Sequence, residues 1–245
     1  MRKIFCTTFN KELYDRYANQ LIDTYLQTKQ TIPLHVFVED LENVHYPKHP
    51  NVFYHNLFKE EPELEKFVER NKGRSFSDFL SDAVRFSYKV FAQNASRKYG
   101  DKIYYVDSDS KFIRQIPDEW YDECLPDDVF VSFYYRPHTY TETGFVAFDN
   151  TKEVSNTFFN YYTDLYKSDN VYKLKAYTDC HTLDDTRDNM KTVSDYKEKR
   201  LGDKQNGHIM ARDKFINPYL DHRKGERKFK PHSDEWLQHR PRHGG

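Results

Sequence analysis

The 245-residue chain is poor in cysteine and glycine, and it lacks long apolar runs and charge of one dominant sign. Its three cysteines, Cys6, Cys124 and Cys180, are an odd number with no metal-ligand spacing. That argues against a disulfide scaffold or a zinc module and fits a reduced, cytoplasmic compartment. Only eight glycines stand against 17% aromatic residues, a balance that argues against disorder over most of the chain. No apolar run approaches the roughly 18 residues of a membrane span. Met1-Arg2-Lys3-Ile4-Phe5 enters a strand directly, without the apolar core of a secretion signal. Lys plus Arg is 38 and Asp plus Glu is 39, so no global field draws nucleic acid or a membrane surface. There is no internal repeat. A single domain over residues 1–235 is the expectation, with 236–245 as a mobile tail.

What is present is a strand–helix–strand rhythm. Ile4 to Thr8 reads as a short buried strand ending in two hydroxyls, Thr7 and Thr8. A helix from about Lys11 to Gln27 follows, with Leu13, Tyr17, Leu21 and Tyr25 on one face. Pro33 opens a strand from Leu34 to Val38 that ends in Glu39 and Asp40, and Val52 to His55 reads as the next. Ser75, with Asp78 three residues on, predicts the capped start of a helix that runs to Tyr99 and stops at Gly100. Further strands are expected over Val129–Tyr135 and Gly144–Phe148, and a helix from about Lys152 to Tyr166. This alternation predicts an α/β fold: a Rossmann-type, mixed and mainly parallel sheet with helices on both faces.

The stretch "KIYYVDSDSKF" carries the chemistry. Ile103 to Val106 reads as a buried strand that runs straight into Asp107 and Asp109. Paired carboxylates there cost free energy unless something neutralises them, and ligands bind beyond the carboxyl ends of parallel strands. An EF-hand is disfavoured because Lys111 and Phe112 stand where its loop needs an oxygen ligand and a glycine. A phosphatase with Asp107 as nucleophile is the runner-up, weakened by Lys111, and a non-catalytic binding module with structural acids stays open. The remaining reading is Mg²⁺ or Mn²⁺ bridging carboxylates and a diphosphate.

The strand-borne Asp-x-Asp after a Rossmann-like first half resembles the GT-A class of glycosyltransferases. Far downstream, His222-Arg223-Lys224-Gly225-Glu226-Arg227-Lys228 has the form His-x-x-Gly-x-x-Lys, similar to a segment of the retaining glycogenin-like transferases. Those enzymes continue Pro-Trp where this chain has Phe229-Lys230. The resemblance implies transfer of a hexosyl or pentosyl group from a nucleoside-diphosphate sugar, UDP first, with retention at the anomeric carbon. It implies that residues 1–110 bind the donor and 111–235 close over metal and acceptor. Asp107, Asp109 and His222 would hold Mn²⁺ or Mg²⁺, with His208 as the alternative third ligand, and Lys228 would grip the diphosphate. Thr7, Thr8 and Asp40 stand at strand ends where base or ribose would lie, although threonines are common there. Arg85 and Lys89 share a helix face from which they could meet diphosphate or sugar, against the commoner role of solvated cations. Glu142, before Gly144, is the candidate for a sugar hydroxyl, against a plain turn. One of Asp179, Asp184 and Asp185 is the candidate for the sugar face, against a helix cap at Asp179 or Thr182. The acceptor is open: a glycan, a protein, or nucleic acid drawn by the segment "HRKGERKFK", which holds five cations and one acid.

Overall fold

The computed structural model describes residues 1–39, 41–42, 45–74, 79–202 and 207–241. Asp40 and the Ser75/Asp78 cap lie outside the described residues.

The first strand, β1 (Lys3–Thr8), is followed by Asn10, whose side chain caps a helical run by accepting from Leu13 N at 3.0 Å. The run comprises α1 (Lys11–Leu13), a π-helical turn (Tyr14–Ala18) and α2 (Asn19–Gln27). Then come β2 (Leu34–Val38), β3 (Val52–Asn56), α3 (Leu57–Glu60) and α4 (Pro62–Asn71). Next is α5 (Ala83–Ser96), which begins later than the sequence predicts. Asp82 is its cap, accepting from Arg85 N at 3.0 Å, and a short 3₁₀ turn (Phe79–Ser81) precedes it. An aspartate with an available backbone donor two or three residues on can start a helix wherever it falls.

The chain continues through β4 (Lys102–Val106), β5 (Ser110–Phe112), α6 (Asp118–Cys124), β6 (Val131–Tyr134) and β7 (Glu142–Asp149). It ends with α7 (Val154–Lys167), α8 (Asp179–Met190), β8 (Glu198–Leu201), α9 (Ile209–Arg212), β9 (Leu220–His222) and α10 (Asp234–His239). A 3₁₀ segment (Gly225–Phe229) separates the last two.

Among the described residues, seven strands form one sheet in the order β3-β2-β1-β4-β7-β6-β8. β1, β2, β3 and β4 are parallel to their neighbours in that run, as β8 is to β6, while β7 runs antiparallel to both β4 and β6. The expected mixed, mainly parallel sheet is therefore what the chain builds. Side chains alternate across it: Phe5, Val36 and Tyr104 enter one core, while Ile4, Cys6, Ile103 and Tyr105 enter the other. A strand buried on both faces reads as a continuous apolar run, as β4 does.

Chain direction across the sheet reverses at β1. The chain passes outward through β2 and β3, then returns to place β4 on the other side. The carboxyl ends of β1 and β4 thus flank a topological switch point, where open sheets of this kind leave a crevice. Thr8 and Asp107 both stand at that edge.

Of the tail expected from sequence, the part up to His239 is helical in α10, and residues 237–241 are exposed. Trp236 in α10 is buried, and its Nε1 donates to Asn217 O at 2.7 Å. Ser233 caps α10, and its hydroxyl donates to the buried Asp221 at 2.7 Å. A tryptophan with a satisfied N–H holds α10 at that one position. Residues 242–245 lie outside the described residues.

Candidate active site

A cavity of about 750 Å³ opens at the switch point, floored by Asp107, Ser108 and Asp109. Asp107 continues from β4, and its N–H donates to Gly144 O at 2.9 Å, which fixes the start of the acidic turn against β7. Ser110 N then donates to Asp107 O at 3.0 Å and turns the chain into β5. β5 pairs antiparallel with β9, and Ser110 stands opposite His222. This three-residue ladder brings the distant histidine to the acids. His222 Nε2 lies 3.2 Å from Asp109 Oδ1 and 3.5 Å from Asp107 Oδ2.

Gly144 makes room for that imidazole: a Cβ there would sit 2.3 Å from His222 Cε1 and 2.5 Å from Nδ1. The glycine's close approach serves His222. His208, 7% exposed, lies behind His222, with its Nε2 on the His222 carbonyl and the two ring centroids 5.6 Å apart. Burial and the neighbouring His222 push its pKa down to about 4, so it is neutral and donates to that carbonyl. Among the described residues the group able to hold a metal is Asp107, Asp109 and His222, whose ligand atoms lie within 4.8 Å of one another; His208 is not in it.

The residues fit a hard divalent cation. Two carboxylates and one imidazole leave open positions for phosphate oxygens and water. His222 Nδ1 is buried without a hydrogen-bond partner, and Asp109 Oδ1 has the His222 ring at 3.2 Å without a well-formed hydrogen bond, an expensive arrangement if nothing else is bound there. Burial opposes charge on His222, but Asp109 and Asp107 outweigh it and lift its pKa to about 9. Without a metal the ring is therefore a cation that neutralises the acids. A metal must displace that proton.

Lys89 sits on α5 beneath the acids. Its ammonium lies 2.6 Å from Asp107 Oδ1 and 2.6 Å from Asp179 Oδ2, and it donates to Thr143 O at 3.1 Å. Burial works against its charge, yet Asp107 and Asp179 hold its pKa well above the ordinary lysine value. In turn Asp107, half-buried, stays below the usual carboxylate range because Lys89 and His222 outweigh its desolvation. Lys89 is thus a cation of the site's interior that keeps Asp107 ionised.

Glu142 begins β7 and is 1% exposed. It accepts from Gly144 N at 3.0 Å, pairs with Lys224, and lies 3.3 Å from Arg136 Nη1. Burial would raise its pKa, but Lys224, His222 and Arg136 bring it down to about 2. Its Oε1 is 4.0 Å from His222 Nδ1, beyond hydrogen-bond distance. Asp179 lines the cavity, bound by Lys89 and by the Thr143 hydroxyl. Thr178, rather than Asp179 or Thr182, caps α8.

Asp184 and Asp185 are not part of the cavity lining. Asp184 accepts from Thr141 N at 3.0 Å and pairs with Arg187, while Asp185 accepts from Tyr161 Oη at 3.0 Å. Both faces of α8 look alike in sequence; only packing separates Asp179 from the other two. Thr7 is fully buried and outside the lining, and Thr8 lines the cavity with its hydroxyl spent on Phe37 O at 2.8 Å. Arg85 and Lys228 line it, with Lys228 Nζ 4.0 Å from Asp109 Oδ2.

Two lining residues, Tyr17 and Lys224, escape the sequence reading as site residues. Tyr17, in the π-turn, lines the cavity with Lys228 Nζ 4.5 Å from its ring centroid, and burial pushes its phenol up to about 12. A π-turn leaves no residue pattern, but it recurs at functional sites. Lys224 is legible only as the second cation of the His222 segment.

The fold is that of GT-A-type glycosyltransferases. Among solved structures, the apo form of mouse xyloside xylosyltransferase 1 aligns with a TM-score of 0.50 at 12% identity, over 82% of this chain and 85% of that one. The apo structure of the bifunctional glycosyltransferase WbbM aligns at 0.49 with 13% identity, over 92% of this chain and 46% of that one. No protein-family model and no curated protein sequence matches the chain. Among the described residues no helix is long and apolar enough to cross a membrane.

Proposed function

We propose that this protein is a divalent-metal-dependent glycosyltransferase that moves a hexosyl or pentosyl group from a nucleoside-diphosphate sugar, UDP first, to an acceptor hydroxyl. The observation that carries it is the meeting of Asp107, Asp109 and His222 at the switch-point cavity, within ligand distance of one another. Mn²⁺ or Mg²⁺ bound there would neutralise charge on the departing diphosphate. Lys228 adds a second cation on the same side, and Arg85 stands at the cavity wall. Lys89 holds Asp107 ionised, and Glu142 with Asp179 borders the sugar. The His222 segment favours retention at the anomeric carbon.

The acceptor reading changes with the pairing of the basic segment. Arg223 is buried, Lys224 is bound to Glu142, Arg227 to Glu235 and Lys230 to Asp234. Cations so engaged make a poor track for phosphates, which favours a glycan or protein hydroxyl over nucleic acid. The xylosyltransferase neighbour puts xylosyl donors and xyloside acceptors in the test panel.

The test is release of nucleoside diphosphate from a panel of nucleotide sugars, after chelation and after return of Mn²⁺ or Mg²⁺. Turnover that needs metal and disappears in Asp109→Ala supports the proposal. No release with any donor, together with no Mn²⁺-linked rise in Tm, overturns it. A trapped phospho-Asp107 would instead establish the phosphatase alternative; Lys89 and His222 already engage both oxygens of that carboxylate.

A further inference from the structure

Arg223 follows the histidine of the metal group and is fully buried, an unusual setting for a guanidinium. Its Nη1 donates to Gln20 Oε1 and to Lys230 O, both at 2.9 Å, and its backbone N–H donates to Asp109 O at 3.2 Å. Among the described residues Nε and Nη2 have no hydrogen-bond partner. A side chain this costly to bury and only half satisfied calls for a role.

Its contacts define one. Lys230 O lies seven residues on, so one guanidinium nitrogen closes residues 224–229 into a loop. Gln20 then docks that loop on the first helical run. Tyr17 stands one turn before Gln20 on the same helix face, and its ring carries Lys228, with Nζ 4.5 Å from the centroid. Phe229 packs near Tyr17 at 6.5 Å between centroids and under Arg16 at 5.5 Å. Lys224, Gly225 and Lys228 of the loop line the cavity. His222, by contrast, is placed by the β5–β9 ladder and by the room that Gly144 leaves, neither of which involves the Arg223 side chain.

We propose that Arg223 is a positioning residue that clasps the 224–230 loop to the π-turn and so sets Lys228 beside Asp109, separately from the placing of the metal ligands. The part of this that concerns diphosphate rests on the donor reading above. The clasp itself does not.

Amide exchange on the ligand-free full chain tests the clasp. Arg223→Met keeps bulk and removes the donors; exchange across 224–230 should rise about ten-fold or more while Leu220–His222 stays within about two-fold. Gln20→Ala, a milder change that leaves Arg223 in place, should shift the same loop in the same direction and keeps the test valid if the first variant does not fold. Unchanged exchange in the loop overturns the proposal. Calorimetry with Mn²⁺ alone, and then with UDP in the presence of Mn²⁺, tests the consequence. Arg223→Met should weaken UDP about ten-fold and Mn²⁺ less than about three-fold, and adding Lys228→Ala to it should cost little more, because the two act through one contact. Additive effects, or equal losses of Mn²⁺ and UDP, overturn it. If the wild-type chain binds Mn²⁺ but no UDP, the donor reading fails and the exchange result alone decides the clasp.

Discussion

Replacing Gly144 by alanine separates the site's geometry from its charges. The substitution adds one methyl, no charge and no backbone strain, because Gly144 lies inside β7. That methyl would fall 2.3 Å from His222 Cε1, 2.5 Å from Nδ1 and 3.0 Å from Nε2. Ordinary carbon contacts begin near about 3.5 Å, so the ring must retreat by about 1 Å. It has little room to do so: His222 is 1% exposed, with His208 at its back and its backbone in register with Ser110. Overpacking of this kind costs about 1–3 kcal/mol, and in a domain of this size each kcal/mol lowers Tm by about 2–4 °C. The metal should suffer more than the fold, because Nε2 leaves its place beside Asp107 and Asp109. Displacing the support of one ligand weakens metal binding by about 10–100-fold. Mn²⁺ titration followed by electron paramagnetic resonance, paired with apo melting curves, reads both effects. An alanine variant with unchanged Tm and unchanged Mn²⁺ affinity would refute the placement of His222 against β7, and with it the three-ligand geometry.

Further outcomes test the charges. The pKa of His222 is about 9 against an ordinary 6.5, so its pairing stabilises the metal-free fold fully below pH 6.5 and fades as pH rises through 9. Because Mn²⁺ must displace that proton, its affinity should rise over the same interval, with proton release seen as a buffer-dependent heat in calorimetry; a flat profile would mean that His222 is not a ligand. Lys89→Met leaves Asp107 and Asp179 uncompensated, and breaking a buried pair costs about 3–5 kcal/mol. Urea unfolding should show that loss at pH 7 and recover part of it at low pH, where the acids protonate. Asp184→Ala should lower Tm through Thr141 and Arg187 while leaving nucleoside-diphosphate affinity within about two-fold, since the residue is outside the cavity lining.

These tests follow the line between what the chain's pattern shows and what packing decides. The main strands and their parallel rhythm are legible because β1, β2 and β4 are largely apolar rather than alternating, the signature of strands buried on both faces. The start of α5 is not, because Ser75 and Asp82 both offer a capping oxygen and only the tertiary contacts choose. Neither is β5 or β9: three residues are too few for any period to register. Yet that ladder is what joins His222 to Asp109. The His-x-x-Gly-x-x-Lys spacing hints at the juxtaposition, but only the strand pairing accounts for it.

The charged residues show the same limit more sharply. Lys89 and Arg85 share a helix face, and their sequence surroundings do not distinguish them. In the fold Lys89 is 13% exposed at its side chain and locked between two carboxylates, whereas Arg85 is exposed on the cavity wall. Four cations of the segment 222–230 read as a basic patch, and each is engaged: Lys224 has Glu142, Arg227 has Glu235, Lys230 has Asp234, and Arg223 is inside. Lys228 differs from them. Its nearest acid is Asp109 at 4.0 Å, a carboxylate that a bound metal would claim. Metal binding would therefore leave Lys228 as a cation with its partner's charge neutralised, facing the same cavity, which is the arrangement a diphosphate requires. On the donor reading, the segment's role would rest less on how basic it is than on Lys228, the lysine whose nearest acid a bound metal would claim.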